Sequence, residues 1–174
     1  MELMQTREFD AITVQDLLDR AGVGRATFYS HFRNKDDFLL TGFEGMLGAL
    51  EARFEQGAGS GRRLAPVGEL FQHLRDATDF RRGLERSRHV GAMYDIASGH
   101  LARIIERRLR ALGVTARRLP ATATARAVAA MAIELAKWWL DRETSFSARD
   151  MDAQFHNLAW SGLAQGGSSD RARL

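Results

Sequence analysis

The feature that most constrains this chain of 174 residues is the spacing of its apolar side chains. They recur at helical intervals in segment after segment and nowhere alternate with period two for long enough to build a strand. Stripes of this kind are buried helix against helix, so the predicted fold class is all-α. Capping residues then divide the pattern. Thr13, with Asp16 at N3, reads as a helix start, and Val14, Leu17, Leu18 and Ala21 follow at helical spacing. Gly22 ends that helix, because a left-handed position after the last turn suits glycine. A second short helix is predicted from about Arg25 to Phe32. Asn34 caps a third, with Asp36 and Asp37 in its first turn and Phe38, Leu39, Phe43, Met46, Leu47, Leu50 and Phe54 on one stripe. Gly45 and Gly48 weaken its continuity by about 1 kcal/mol each.

The run Gly57-Ala58-Gly59-Ser60-Gly61 reads as a loop. As a phosphate-binding loop it lacks the following Gly-Lys-Ser/Thr and a preceding strand. Beyond it, Val67, Leu70, Phe71 and Leu74 mark one helix. Met93, Ile96, Ala97, Leu101, Ile104, Ile105, Leu109 and Leu112 mark another, ended by Gly113. A helix opening after Pro120 carries Val128, Met131, Ala132, Leu135, Ala136, Trp139 and Leu140. The last, capped by Ser147 with Asp150 at N3, carries Met151, Phe155, Leu158, Ala159 and Leu163, and the tail from Gly166 is expected to fray.

Composition narrows the function classes. Hydrophobic residues at 45% and charged residues at 27% are ordinary for a globular chain. No window approaches the roughly 18 apolar residues of a membrane span. Met1 to Asp10 holds three acids and no apolar stretch of signal-peptide type. The absence of cysteine excludes disulfides, thiolate metal sites and a cysteine nucleophile, and fits a cytoplasmic location. The net charge of +3 is unevenly spread. Residues 1–45 hold five Lys/Arg against eight Asp/Glu, residues 46–118 fourteen against eight, and residues 119–174 six of each. The basic excess therefore lies on central helices, around Arg81, Arg82, Arg86, Arg88, Arg107, Arg108 and Arg110, where solvated helix faces account for it. Within the acidic N-terminal part, Gly24 to Lys35 is a local exception: it contains Arg25, His31, Arg33 and Lys35 and no acid.

Two short helices joined at Gly22-Val23-Gly24 make a candidate helix-turn-helix. Ala21 and Gly22 are small enough for the tight turn. Leu17, Leu18, Val23, Phe28 and Phe32 supply inner faces, and Gln15, Arg25, Ala26, Thr27, Tyr29, His31 and Lys35 supply an outer face. The stretch Phe9-Asp10-Ala11-Ile12-Thr13-Val14, continued by Ala21-Gly22-Val23-Gly24-Arg25-Ala26-Thr27-Phe28-Tyr29-Ser30-His31-Phe32-Arg33-Asn34-Lys35-Asp36-Asp37-Phe38-Leu39-Leu40, resembles the DNA-binding domain of the TetR/AcrR family of transcriptional regulators. Thr27, Tyr29 and Phe32, followed by Asn34-Lys35-Asp36, are its most specific part. The resemblance covers about a quarter of the chain. It implies a helix-turn-helix DNA-binding domain over residues 1–45 and a helical regulatory and dimerisation domain over residues 46–174. It also implies a fuller first helix than the eight residues before Phe9 supply, so the first helix is expected to be truncated.

What the resemblance implies residue by residue follows groove chemistry. The second helix of the motif enters the major groove and offers its N-terminal residues to base edges. Arg25 would pair bidentately with guanine, Gln15 with adenine, and Ala26 would meet a thymine methyl. Thr13, Thr27, Tyr29, His31 and Lys35 would fix register through phosphate, and Gly24 belongs to the same DNA-binding set. Each has a plainer alternative: Thr13 as an N-cap, Tyr29 as half-buried packing, Lys35 as a solvated lysine.

The resemblance further implies a homodimer, formed through roughly 122–142 and 148–164, because a two-fold operator needs a two-fold protein. Ala125, Ala129, Ala132 and Ala136 would permit close approach, and Phe155, Leu158 and Trp160 would anchor the interface; an ordinary intramolecular core is the alternative use of the same residues. An effector pocket is expected inside the helical domain, with Phe71, His73, Leu74, Met93, Tyr94, Ile96, His100, Ile104, Trp138 and Trp139 as candidate lining and His100 its polar group. Trp138 and Trp139 point about 100° apart, so only one faces any cavity. The function expected is a DNA-binding transcriptional regulator, a ligand-relieved repressor at a pseudo-palindromic operator, with double-stranded DNA and a small-molecule effector as partners and no cofactor, metal or membrane. Its rival is a helical small-molecule-binding protein with weakened or lost DNA binding. An enzyme is not expected: acid and histidine four apart occur at Glu69/His73, Glu85/His89 and Asp152/His156, but the Glu-x-x-His of di-iron bundles and the nucleophile elbow are absent.

Overall fold

A computed structural model describes residues 2–57, 61–84, 87–114, 119–142 and 144–165. Ala58 to Ser60 of the expected loop, Glu85, Arg86 and the tail from Gly166 lie outside the described residues. Two 3-10 turns, Glu2–Gln5 and Phe9–Ala11, precede the α-helices. The helices are α1 (Val14–Ala21), α2 (Arg25–His31), α3 (Lys35–Gly57), α4 (Val67–Asp76), α5 (Thr78–Leu84), α6 (Val90–Ala111), α7 (Ala121–Leu140) and α8 (Ala148–Gln165). No strand occurs among the described residues. No described helix is long and apolar enough to cross a membrane.

The helix ends follow the capping chemistry. Thr13 and Asp16 form a reciprocal capping box, and Gly22 ends α1 at φ +65°. Gly113, at φ +66°, follows α6 in the same conformation. At α8, the Ser147 hydroxyl accepts from the Asp150 N–H at 3.1 Å and the Asp150 carboxylate accepts from the Ser147 N–H at 2.8 Å. The helix α3 runs unbroken through Gly45 and Gly48; its 23 residues span about 35 Å and join the N-terminal helices to the body. The helix α5 has no counterpart in the apolar pattern.

The main core draws on α3, α4, α6, α7 and α8. Phe54, Phe71, Phe155, Leu101, Ile104, Ile105 and Leu109 are its largest fully buried side chains on those helices. Each such burial stabilises the fold by roughly 1.5–3 kcal/mol. Ala125, Ala129, Ala132 and Ala136 lie within it, letting α7 approach α6 closely. These alanines and Phe155 therefore serve the core of one subunit and not the subunit surface expected of them. Of the anchors named with them, Leu158 is 52% exposed. Trp160 is half-buried, its indole N–H donating to the Arg62 carbonyl at 2.6 Å.

A second, smaller cluster joins Met4, Phe9, Ile12, Leu39 and Leu84. It fastens the N-terminal turns to α3 and α5. The fit at Gly83 is tight: a Cβ there would stand 2.8 Å from the Met4 carbonyl oxygen.

Candidate nucleic-acid interface

The first two helices pack by Leu18 and Phe28, both buried, and leave the opposite face in water. Phe28, Phe32 and Phe38 meet at ring-centroid distances of 5.1–6.0 Å and set α2 against the start of α3. Asn34 turns the chain between them, its side-chain oxygen accepting the Asp37 N–H at 2.8 Å. Arg7 reaches the Asp16 carboxylate at 3.1 Å. That hydrogen bond, with those from Thr13, holds the Asp16 acid well below the usual carboxylate range. The capping box is thus anionic at the positive end of α1 across the ordinary pH range.

Gln15, Arg25, Ala26, Thr27, Tyr29 and His31 all lie exposed on α1 and α2. Gly24 caps α2 through its backbone, and no atom would crowd a side chain there. Thr13 is the N-cap: its hydroxyl accepts the Asp16 N–H at 3.2 Å and donates to the Asp16 carboxylate at 2.7 Å. Tyr29 is 50% exposed with its ring edge against Phe28, so packing takes only one side of it. Gln15 and Arg25, expected to read separate bases, are bonded to each other, the Arg25 guanidinium donating to the Gln15 side-chain oxygen at 2.7 Å.

Lys35 departs from expectation. Its ammonium donates to the carbonyls of Phe9, Asp10 and Ile12 at 3.1, 2.9 and 2.7 Å and sits 4.9 Å from the Phe9 ring centroid. An ammonium has three protons, and all three are taken. Lys35 thus clasps the 9–12 turn to α3, and the phosphate contact expected of it gives way to this internal one. Beside it, Asp36 accepts from Arg88 at 2.6 Å and lies 3.2 Å from His89 Nε2, while Phe9 meets the His89 ring edge-on. No local signal in the sequence marks these long-range contacts, which tie the start of α3 to the start of α6.

The expected effector-pocket residues are dispersed. Phe71, Ile104 and Trp139 are closed into the main core, with Leu74, Tyr94 and Ile96 packed at its margin. Met93 packs on the smaller cluster. Trp138 faces outward near Phe146, so the adjacent tryptophans do diverge. His100 Nε2 lies 2.9 Å from the Glu51 carboxylate of α3 and its Nδ1 3.0 Å from an Arg103 nitrogen. Burial holds His73 and His100 below the ordinary histidine value. A cleft of about 640 Å³ opens elsewhere, where Arg62 and Arg63 face Asp152, His156 and Trp160 of α8. Several of its polar side chains are paired within the protein. Arg63 binds Glu69 through both ends of its guanidinium, and Asp152 accepts the Gly68 N–H at 2.8 Å. His156 Nε2 accepts the Leu64 N–H at 3.0 Å. Of the acid–histidine pairs, Asp152 and His156 are 3.3 Å apart, whereas Glu69 is committed to Arg63. Glu85 of the third pair lies outside the described residues.

Comparison with known proteins agrees with this geometry. Residues 1–41 match the family model described as bacterial regulatory proteins, tetR family. No curated protein matches the chain by sequence. Among solved structures, a TetR transcriptional regulator from Streptococcus agalactiae 2603V is 24% identical, with a TM-score of 0.62 over 91% of this chain and 87% of that one. The dihydroxyacetone kinase operon activator DhaS is 16% identical, with a TM-score of 0.69 over 94% of this chain and 91% of its own. A TetR-family regulator from Syntrophomonas wolfei str. Goettingen, also 16% identical, gives 0.57 over 94% and 90%. Residues 1–41 are therefore similar to the N-terminal domain of the bacterial tetR regulatory family, and over most of its length the chain shares the fold of these solved TetR-type regulators.

Proposed function

We propose that this chain is a cytoplasmic, homodimeric, DNA-binding repressor whose hold on a pseudo-palindromic operator is relieved by a small molecule. The observation that carries the reading is the exposed face of α1 and α2, on which Gln15, Arg25, Ala26, Thr27, Tyr29 and His31 stand together above a turn closed by Gly22. In this reading Arg25 and Ala26 meet base edges from the first turn of α2, and Thr27, Tyr29 and His31 meet phosphate. Residues 1–45 form the DNA-binding part and residues 46–174 the regulatory part. The second copy docks on the outer sides of α7 and α8, where Trp138 and Leu158, with Phe146 from the segment between them, expose apolar surface. Repression follows the family resemblance, although DhaS is itself an activator of an operon. A ligand acts by binding more tightly to the conformation whose two recognition helices depart from the spacing of about 34–36 Å that one turn of DNA requires.

The test is selection of duplexes from a randomised pool by the full chain, followed by gel shift and mass measurement of the complex. The expected result is an inverted-repeat sequence bound by two copies. Recovery of no preferred duplex, with retained binding of small molecules, would favour the rival reading. A reporter placed downstream of the selected sequence then reads the sign of regulation.

A further inference from the structure

The two side chains best placed to read bases are part of a longer chain of hydrogen bonds. The Asp19 carboxylate accepts from Gln15 Nε2 at 2.7 Å, and Gln15 Oε1 accepts from Arg25 Nη2 at 2.7 Å. A carboxylate can only accept and a guanidinium can only donate. A carboxamide joins them in line in one orientation, with its NH2 toward Asp19 and its oxygen toward Arg25. Reversed, it would set two acceptors face to face at one end and two donors at the other. Asp19 therefore fixes the Gln15 amide, and the fixed amide oxygen fixes the Arg25 fork.

Resting on the DNA-binding reading above, we infer that Asp19 is a positioning residue for base recognition, acting through Gln15 to hold Arg25 in the orientation that meets a guanine edge. Arg25 gives one of its five N–H groups to Gln15 and keeps the others for the groove, so bidentate contact with guanine O6 and N7 remains open to it. Gln15 gives one lone pair of its oxygen to Arg25 and one amide proton to Asp19, which makes it the link of the brace. The brace spans exposed residues of α1 and α2 and links them through side chains across the turn. An arginine already held in its binding rotamer loses less freedom on contact, which is worth about 3- to 10-fold in affinity for the correct base. Asp19 also places a negative charge on the face that meets phosphate, which weakens binding to all sequences alike.

These two effects separate in Asp19→Asn and Asp19→Ala. Asparagine removes the charge and keeps an oxygen that can accept from Gln15, whereas alanine removes both. With the full chain, affinity is measured for the duplex selected by the wild type and for a version altered at the base pair whose preference Arg25→Ala abolishes. The expected result is that Asp19→Ala lowers the ratio of the two affinities by about 3- to 10-fold while Asp19→Asn keeps it within about twofold. Both variants should bind a random duplex more tightly by a similar factor, since both lose the charge. The inference is overturned if Asp19→Ala keeps the wild-type ratio, or if Asp19→Asn loses as much as Asp19→Ala. Should the wild type select no duplex at all, the DNA-binding reading itself falls and takes the inference with it.

Discussion

Replacing Lys35 by methionine keeps the length and apolar stem of the side chain and removes its charge and donors. The structure makes this a stability change. Three carbonyls, of Phe9, Asp10 and Ile12, lose their shared donor, and the contacts to Phe9 and Ile12 are partly buried. The exposed Asp10 carbonyl recovers a water, so its loss is small. The two partly buried acceptors, at the lower end of the range for hydrogen bonds to a charged donor, give a cost of about 3 kcal/mol. For a chain of this size that corresponds to a fall in Tm of about 6–12 °C. The assay is thermal unfolding by circular dichroism, paired with binding of a random duplex across a salt series at a temperature where both proteins are folded. Were Lys35 a phosphate contact, the slope of log affinity against log salt would flatten by about one unit with little change in Tm. A variant with unaltered Tm and a slope shallower by one unit would refute the clasp.

Four further outcomes follow from the packing and the titrating groups. Gly83→Ala should cost about 1–3 kcal/mol, because the new methyl stands 2.8 Å from the Met4 carbonyl, and should speed hydrogen exchange around residues 3–7. Phe155→Ala, which empties a fully buried site, should destabilise the chain by about 3–5 kcal/mol in urea unfolding. Leu158→Glu, at a site 52% exposed, should leave that unfolding within about 0.5 kcal/mol while weakening self-association in sedimentation. His73 and His100 are held by burial below the ordinary value of 6.5, so the unfolded chain takes up their protons at higher pH than the folded one. Their contribution is intact above 6.5 and declines as the pH falls toward their folded values. Unfolding followed between pH 7.5 and 5 should show that decline, and His100→Gln should flatten it.

How much of this was legible in the sequence depends on how local the cause was. Thr13, Gly22, Asn34, Gly113 and Ser147 act on their own helix ends, so the bounds of α1, α3, α6 and α8 could be read from single residues and their neighbours. The helix α5 could not: its seven residues offer Phe80 and Leu84 as apolar anchors, and Met4, far away in sequence, packs against Gly83. The alanine stripe of α7 has the same spacing whether it faces a neighbouring helix of its own subunit or a second copy, and periodicity cannot distinguish the two. The outer face of α1 and α2 was legible as a set of residue types, and the Gln15–Asp19 bond follows from their i, i+4 spacing. The clasp made by Lys35 is not legible, because its acceptors are backbone carbonyls more than twenty residues away, which leave no mark on the pattern of side chains.

The same long-range contacts bear on where the N-terminal part ends. Phe9 and Ile12 lie 2% and 1% exposed, but the cluster that covers them includes Leu84 of α5, with Phe80, Val90 and Met93 packed around it. A piece ending at residue 45 would keep α1, α2 and the start of α3 and lose those four side chains together. It would also lose Arg88 and His89, the partners of Asp36. The small cluster is therefore closed only by the body, and a displacement of α5 or of the first turn of α6 reaches Phe9, Ile12 and Asp36 directly. From there it reaches α1 through Thr13, which follows Ile12 in the chain, and α2 through the Asn34 turn. The helix-turn-helix is held at two places, and side chains of α5 and the start of α6 take part in both.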